Sequence, residues 1–156
     1  MISGPVWSGK TEVIEGHLNS AEGSKFNKNG NLVVVKHPLD DPNSPDKIGN
    51  HEVRCLDDSD EIARLVSEDT RVVIIAGISH YGPDMVELVD ALVRANRNVI
   101  ASGLNLDTHG KPYGIMSDLM ALADDVVLAK AICNQGFCRV EEANRNRPSE
   151  KVCARR

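Results

Sequence analysis

The sequence predicts an α/β fold with three layers, in which helices cover both faces of a mostly parallel β-sheet. Short runs of β-branched residues alternate with segments that carry apolar residues at helical spacing, as in repeated strand–helix–strand units. A glycine-rich loop separates the first strand from the first helix. The chain has 156 residues, of which 41% are hydrophobic and only 3% aromatic. We therefore expect one compact core of Val, Ile, Leu and Ala, as is usual for buried parallel sheets.

Six segments have the composition of strands. The clearest signal is 71–76, a run of Val and Ile, and a similar run at 32–35 ends before Lys36. Long loops are predicted at 37–50, which is rich in Pro and Asp, and at 103–114. The predicted strands, of which the first is only a stub, are 1–3, 32–35, 52–56, 71–76, 99–101 and 125–128.

Four segments are predicted to be helices. The first begins near Gly9, and the second follows Asp58, which with Glu61 forms an acidic capping pair. The third has Pro83 in its first turn and closes at Asn96, and the fourth is 115–123. The apolar stripes of the first three are Val13, Ile14 and Leu18; Ile62, Leu65 and Val66; and Met85, Val86, Leu88, Val89, Leu92 and Val93.

Residues 4–11 read G-P-V-W-S-G-K-T and match the phosphate-binding pattern G-x-x-x-x-G-K-[ST] at every fixed position. Glycines at the two ends let the backbone turn back, so that successive N–H groups point at one anion. Lys10 adds a positive charge for the outer phosphates, and Thr11 offers a hydroxyl to a phosphate-bound Mg²⁺. The predicted phosphate-binding residues are Gly4, Pro5, Val6, Trp7, Ser8, Gly9, Lys10 and Thr11.

The overall charge and the apolar content restrict the partners. A formal net charge of −5 argues against a general nucleic-acid binder, although 139–156 is locally basic. No apolar run approaches the roughly 20 residues that span a bilayer, and no signal-type segment opens the chain, so we expect a cytoplasmic protein. The four cysteines, at 55, 133, 138 and 153, are then expected to be free thiols or metal ligands rather than disulfides.

Several motifs resemble those of the thymidine kinases of the cellular and poxvirus type. The phosphate loop of that family reads G-P-M-F-S-G-K-T, and 36–40 (K-H-P-L-D) is similar to its K-P-x-x-D. Further similar stretches, in order and near register, are 48–51, 103–104, 111–114, 119–123 and 131–133. The resemblance implies a P-loop NTPase-like kinase domain at 1–130 and a small, degenerate zinc-ribbon-like lobe at 131–156. It also implies transfer of the ATP γ-phosphate to the 5′-hydroxyl of thymidine by a tetramer.

The resemblance also assigns roles to residues outside the phosphate loop. Asp40 would hold Mg²⁺ together with Thr11 of the loop, and Tyr81 or Tyr113 would contact the base of a nucleoside. A zinc site could use Cys133, Cys138 and Cys153, with a histidine or water as fourth ligand, because Gly136 and Arg156 occupy the second position of each expected cysteine pair.

The chain departs from the family at residues that carry the chemistry. Where the family has D-E-A-Q-F-F after a central strand, 76–81 read A-G-I-S-H-Y, so both carboxylates are missing and Gly77 stands at the position of the catalytic Glu. His80 is the nearest residue that could act as a base. The arginine of the family's D-x-R is replaced by Pro42, and Asn105 and Thr108 replace two residues of its substrate loop.

These departures leave two interpretations open. The chain is either a thymidine or deoxynucleoside kinase with impaired catalysis, or a catalytically inactive nucleotide-binding pseudokinase that serves as a sensor or regulatory subunit. An oriented base contributes about 10²–10⁴-fold to turnover, so the first interpretation predicts that Gly77→Glu raises the activity.

Overall fold

The computed structural model describes residues 1–23, 31–41, 43, 46–48 and 51–131. The strands are β1 (Ile2–Ser3), β2 (Leu32–Lys36), β3 (Lys47–Ile48), β4 (His51–Glu52), β5 (Arg54–Cys55), β6 (Val72–Ala76), β7 (Asn98–Gly103) and β8 (Val127–Leu128). The helices are α1 (Lys10–Gly23), α2 (Ser59–Leu65), α3 (Asp84–Arg94) and α4 (Met116–Leu122), with a 3-10 turn at Ile78–His80.

Six strands form one sheet in the order β5-β2-β6-β7-β1-β8, and every neighbouring pair is parallel. The centre is β6, which pairs along its whole length with β2 on one side and β7 on the other. The stub β1 lies between β7 and β8. This arrangement confirms the predicted α/β class, and it brings the carboxyl ends of β1, β2, β6 and β7 to one edge of the sheet.

Alternate residues of β6 face the two outer layers. Val73 and Ile75 belong to the cluster that includes buried residues of α2, α3 and α4, whereas Ile74 and Ala76 pack with Ile14 and other residues of the second cluster. Each β6 side chain among these four is at most 3% exposed. The sheet therefore lies between α1 on one face and the other three helices on the opposite face, which makes the three predicted layers.

One predicted strand, 52–56, is wrong as a single element. His51–Glu52 pairs antiparallel with Lys47–Ile48 in a separate two-stranded sheet, and Arg54–Cys55 joins the main sheet beside β2. The break falls at Val53, whose N–H donates to Asp46 O at 2.8 Å instead of continuing the strand. Composition alone does not show this change of partner, because both halves have ordinary strand residues.

Asp58 and Asn96 lie at helix ends as predicted, whereas Pro83 directly precedes α3 instead of lying in its first turn. The Asp58 side chain accepts from Asp60 N at the start of α2, and Asn96 takes a φ of 60° after α3. The predicted stripe of α3 is too wide, because Val93 is 49% exposed while Met85 and Leu92 are buried. No helix in the described part of the chain is long and apolar enough to cross a membrane.

Candidate phosphate-binding and catalytic site

Four loops meet at the carboxyl edge of the sheet. The phosphate loop follows β1, residues 37–41 follow β2, the turn at 77–81 follows β6, and the segment 104–115 follows β7. Parallel α/β sheets present their ligands at this edge, because the loops after neighbouring strands lie side by side there. The topology thus brings the predicted phosphate-binding residues close to Asp40, His80 and Tyr113.

The phosphate loop is held between neighbouring strands by tight backbone packing. Gly4 N donates to Gly103 O at 3.3 Å, and a Cβ at Gly4 would collide with Ala129 O and lie 2.7 Å from Ser8 Oγ. At the other end, Gly9 has a φ of 80° and α1 begins at the next residue. The close approach at position 4 and the positive φ at position 9 therefore both require glycine. The loop between them forms the backbone cradle that a polyphosphate needs.

The Lys10 side chain folds back over this cradle. Its Nζ donates to Pro5 O at 2.6 Å and to Ser8 Oγ at 3.3 Å. Burial lowers the pKa of Lys10, and the negative charges of Asp40 and Glu12 oppose that effect. A polyphosphate in the cradle would replace the carbonyl as the partner of the ammonium group and would favour its charged form.

The tip of the loop and the start of α1 face the solvent. Trp7 has a φ of 63° and is 91% exposed, and Thr11 is exposed in the first turn of the helix. The exposed Thr11 hydroxyl fits a role as a ligand of a metal ion that arrives with the nucleotide.

Asp40 lies on the far side of the site, in the turn that follows β2. Its backbone N–H donates to His37 O at 3.0 Å, and the residue is half-buried. Burial raises the pKa of the Asp40 carboxyl, while the charges of Lys36, Lys10 and His80 act in the opposite direction. The Asp40 carboxylate thus interacts electrostatically with the phosphate loop and with the histidine.

Gly77 packs directly against Asp40. It has a φ of 73°, and a Cβ built on it would lie 2.6 Å from Asp40 Cβ and 3.2 Å from Asp40 Oδ1. A side chain at position 77 would therefore be strained and would displace Asp40. The single substitution Gly77→Glu, expected from the sequence to raise activity, is a poor test for this reason, because it disturbs the carboxylate that is already there.

Lys36 is a charged residue of the site that the sequence reasoning missed. It ends β2 and is only 2% exposed; its Nζ donates to Lys47 O at 2.8 Å and lies 3.8 Å from an Asp41 carboxylate oxygen. A lysine at the end of a buried strand is the signal that could have identified it, because buried lysines need charged or polar partners.

Aromatic and imidazole rings form a cluster beside Asp40. His37 stacks on His80 with ring centroids 5.3 Å apart, and the Tyr113 ring meets His80 edge-on at 5.6 Å. His37 Nδ1 accepts from Leu39 N at 3.1 Å, so the neutral ring carries its proton on Nε2. Burial is the main cause that lowers the pKa of both histidines.

Tyr81 occupies a different place from the one expected of a base-contacting residue. It is 6% exposed, its hydroxyl donates to Leu56 O at 2.6 Å, and its ring meets the edge of His37 at 4.7 Å. Burial raises the pKa of the Tyr81 hydroxyl above its ordinary value. Tyr81 therefore supports His37 from the core, whereas Tyr113 contacts His80.

The turn that carries His80 is fixed against the loop after β7. Leu104 N donates to Ser79 Oγ at 3.1 Å, and a Cβ at Gly114 would collide with Ser79 O. The same loop holds Tyr113, whose N–H donates to Asn105 O at 3.1 Å. These contacts give the His80–Tyr113 pair a defined position.

The predicted zinc ligands Cys133, Cys138 and Cys153 lie outside the described residues. Within the described part, no group of three or more His, Cys, Asp or Glu side chains is placed to hold a metal ion. Cys55, the cysteine in that part, is a half-buried free thiol in β5.

Comparison with known proteins agrees with the motifs. A family model for thymidine kinase matches residues 1–153. The thymidine kinase of Onion yellows phytoplasma (strain OY-M) is 34% identical over 139 residues, an alignment that covers 85% of this chain and 65% of that protein. The chain thus spans slightly less than two thirds of the relative's length. With the phosphate loop at the carboxyl edge of a parallel sheet, these matches show that the chain belongs to the thymidine kinase family.

Proposed function

We propose that this chain transfers the γ-phosphate of ATP to the 5′-hydroxyl of thymidine or a related deoxynucleoside. The observation that carries the proposal is the position of Asp40, whose carboxylate interacts electrostatically with Lys10 of the phosphate loop and with His80, the ring that Tyr113 meets edge-on. A phosphate donor in the loop and a planar acceptor at the rings would meet at this carboxylate.

The donor is bound by the phosphate loop. The backbone from Gly4 to Gly9 and the Lys10 ammonium would hold the phosphates, and α1 directs the positive end of its dipole at them. Thr11 would hold the Mg²⁺ that accompanies ATP, and that ion would neutralise charge on the transferring phosphate. Asp40 would serve in one of two roles, in the shell of the metal or at the acceptor hydroxyl.

The acceptor is bound by the ring pair. Tyr113 and His80 offer an edge and a face on which a nucleobase can pack, and the buried ring of Tyr81 supports the stack through His37. Neutral imidazoles suit a neutral base such as thymine, because no desolvated charge opposes its binding.

Turnover is expected to be impaired relative to the roughly 1–100 s⁻¹ typical of kinases, because residues 76 and 77 supply no carboxylate. The same observation favours the second candidate, a pseudokinase that binds nucleotide and acts as a sensor or regulatory subunit.

One assay separates the two candidates. The protein is incubated with γ-labelled ATP, Mg²⁺ and a panel of nucleosides, and labelled 5′-monophosphates are separated by chromatography. Labelled thymidine monophosphate that disappears in Lys10→Ala supports the kinase. Nucleotide binding without any labelled product supports the pseudokinase.

We also propose that 131–156 forms a small zinc-binding lobe beside the kinase-like domain 1–130, and that the protein is a homotetramer. The zinc lobe rests on membership of the family and on the cysteines in that segment, and the tetramer rests on membership of the family alone. Mass measurement in solution tests the tetramer, and a monomer at micromolar concentration would contradict it.

A further inference from the structure

The segment between β7 and α4 contains a closed hairpin. Leu106 and Pro112 form an antiparallel bridge, and the next residue inward, Asp107, donates its backbone N–H to Lys111 O at 2.8 Å. These pairs bring two short arms side by side. The arms of this hairpin, which we call the 105–113 hairpin, are 105–107 and 111–113.

The residues that flank the hairpin both pack on Ser79. Leu104 N donates to Ser79 Oγ at 3.1 Å, and a Cβ at Gly114 would collide with Ser79 O. Ser79 directly precedes His80 in the 3-10 turn after β6. The base of the hairpin is therefore fixed relative to the His80 ring, which the Tyr113 ring meets edge-on with centroids 5.6 Å apart.

The side chain of Asp107 closes the tip of the hairpin. Its Oδ1 accepts from His109 N and from Lys111 N, each at 2.8 Å, and its backbone carbonyl accepts from Gly110 N at 3.1 Å. A short aspartate side chain commonly satisfies the N–H groups of a turn in this way. The Asn105 side chain does not do so, because its Oδ1 is buried and accepts no hydrogen bond within the described residues.

Closure of the tip matters because the arms are short. A two-stranded hairpin of this size is only marginally stable by itself in water. Tyr113 belongs to its second arm, and the Tyr113 N–H donates to Asn105 O at 3.1 Å, next to the Leu106–Pro112 bridge. If the tip opens, this arm loses its partner, and the Tyr113 ring loses its fixed position against His80.

We propose that Asp107 is a positioning residue for the acceptor nucleoside. By closing the 105–113 hairpin it holds Tyr113 against His80, where the nucleobase packs. This inference rests on the proposed function, since it concerns the acceptor half of that site, and it gives Asp107 no part in proton transfer or metal binding. The apparent affinity for the nucleoside then scales with the fraction of molecules whose hairpin is closed.

The test compares Asp107→Ala, Asp107→Asn and the matched control Asp124→Ala, which removes an exposed carboxylate after α4. Asp107→Ala is expected to raise the KM for thymidine at least about fivefold, because each of the two lost hydrogen bonds contributes about two- to tenfold. Its kcat and its Mg-ATP affinity, measured by calorimetry, stay at the wild-type values, since saturating thymidine restores the closed hairpin. Asp107→Asn keeps an Oδ1 acceptor and should stay within about twofold of the wild-type KM. Asp124→Ala should match the wild type.

Three kinetic results would overturn the proposal. The first is an unchanged KM in Asp107→Ala. The second is a KM raised equally in Asp107→Asn, which would show that the charge matters instead of the hydrogen bonds. The third is an equal loss of Mg-ATP and thymidine affinity in Asp107→Ala, which would show a general structural role.

Amide hydrogen exchange gives a second measurement that needs no turnover. The N–H groups of His109 and Lys111 should exchange faster in Asp107→Ala and at the wild-type rate in Asp107→Asn. Equal exchange in all three proteins would contradict the closing role of the side chain.

Calorimetry with thymidine separates failure of this proposal from failure of the proposed function. A wild type that binds thymidine but forms no thymidine monophosphate is not a kinase, and the thymidine affinities of the variants still decide the role of Asp107. A wild type that neither binds nor phosphorylates any nucleoside of the panel has no acceptor site, which overturns both proposals.

Discussion

Individual charged residues determine the chemistry of this site, because the described loops bring few charged side chains there. Burial shifts the pKa of two of them, Lys10 and Asp40. Lys10 and Asp40 interact electrostatically at the carboxyl edge of the sheet, and burial disfavours the charged form of each. A site of this kind gains by binding a ligand that carries the missing counter-charges. Mg-ATP, the ligand proposed here, would bring both an anion for Lys10 and a cation for Asp40.

Lys10→Ala should weaken nucleotide binding about ten- to a hundredfold, because a charge-assisted contact contributes about 1.5–3 kcal/mol. The fluorescence of Trp7, the single tryptophan of the chain, is a suitable measurement, since it lies in the same loop and is 91% exposed. Lys47→Ala removes an exposed lysine and is the matched control. Equal Mg-ATP affinity in wild type and Lys10→Ala would contradict the assignment of the loop.

The stacked histidines predict a loss of stability at mildly acidic pH. Burial, reinforced for His37 by the charge of His80, lowers the pKa of both rings, while Asp40 opposes the shift at each and Asp57 at His37. At about pH 7.5 and above, both rings are almost entirely neutral whether the chain is folded or not, because the unperturbed pKa of histidine is about 6.5. As the pH falls from there, the unfolded chain takes up protons first. The free energy of unfolding then decreases, by at most about 1.4 kcal/mol per pH unit for each ring.

Urea unfolding at a series of pH values between about 7.5 and 5.5 measures this slope. His37→Gln should reduce the slope, because it removes one of the two rings whose pKa is lowered in the folded chain. His17→Gln, which replaces an exposed histidine of α1, is the matched control. A full slope in His37→Gln would show that the pair does not cause the pH dependence.

Secondary-structure elements that rely on local pattern were predictable, and those that rely on partners were not. The Val and Ile runs of β2 and β6 stand out because both faces of a central strand are buried. Residues 52–56 look like one strand by composition, yet the hydrogen bond of Val53 to Asp46 divides 51–55 between two sheets. Pairing of that kind depends on where Asp46 and the strand β3 lie, which no local property of 51–55 encodes.

Two glycines in different elements should respond oppositely to alanine. Gly77→Ala is expected to destabilise the fold by about 1–3 kcal/mol, because it forces a Cβ against Asp40 at a φ of 73°. Gly16→Ala, within α1, meets no atom within 4 Å and should stabilise by about 0.5–1 kcal/mol. Chemical denaturation of the two variants beside the wild type measures both effects. Stabilisation by Gly77→Ala would contradict the close packing against Asp40.

For the molecule as a whole, the sequence identified the parts of the site but not their mutual arrangement. The phosphate loop is a contiguous motif whose geometry follows from its own glycines, so its position after β1 could be predicted. The approach of Asp40 to Gly77 depends on the parallel pairing of β2 with β6, which sets the two strand ends side by side. The burial of Tyr81 depends in the same way on the location of Leu56. Tertiary contacts of this type leave no local signal in a single sequence.

The last prediction concerns the complete chain and its metal content. Cys133, Cys138 and Cys153 are the cysteines of the proposed lobe, and a thiolate site normally requires a fourth ligand to close. If they bind zinc, the intact protein purified without chelator should contain about one equivalent, and Cys133→Ser or Cys153→Ser should remove it. Cys55→Ser, in β5 of the main sheet, should keep the full zinc content.

Because metal binding is coupled to folding of such a lobe, chelation should also increase proteolysis within 131–156 while the kinase-like domain resists. Zinc below about a tenth of an equivalent in the wild type would mean that this lobe has lost its metal.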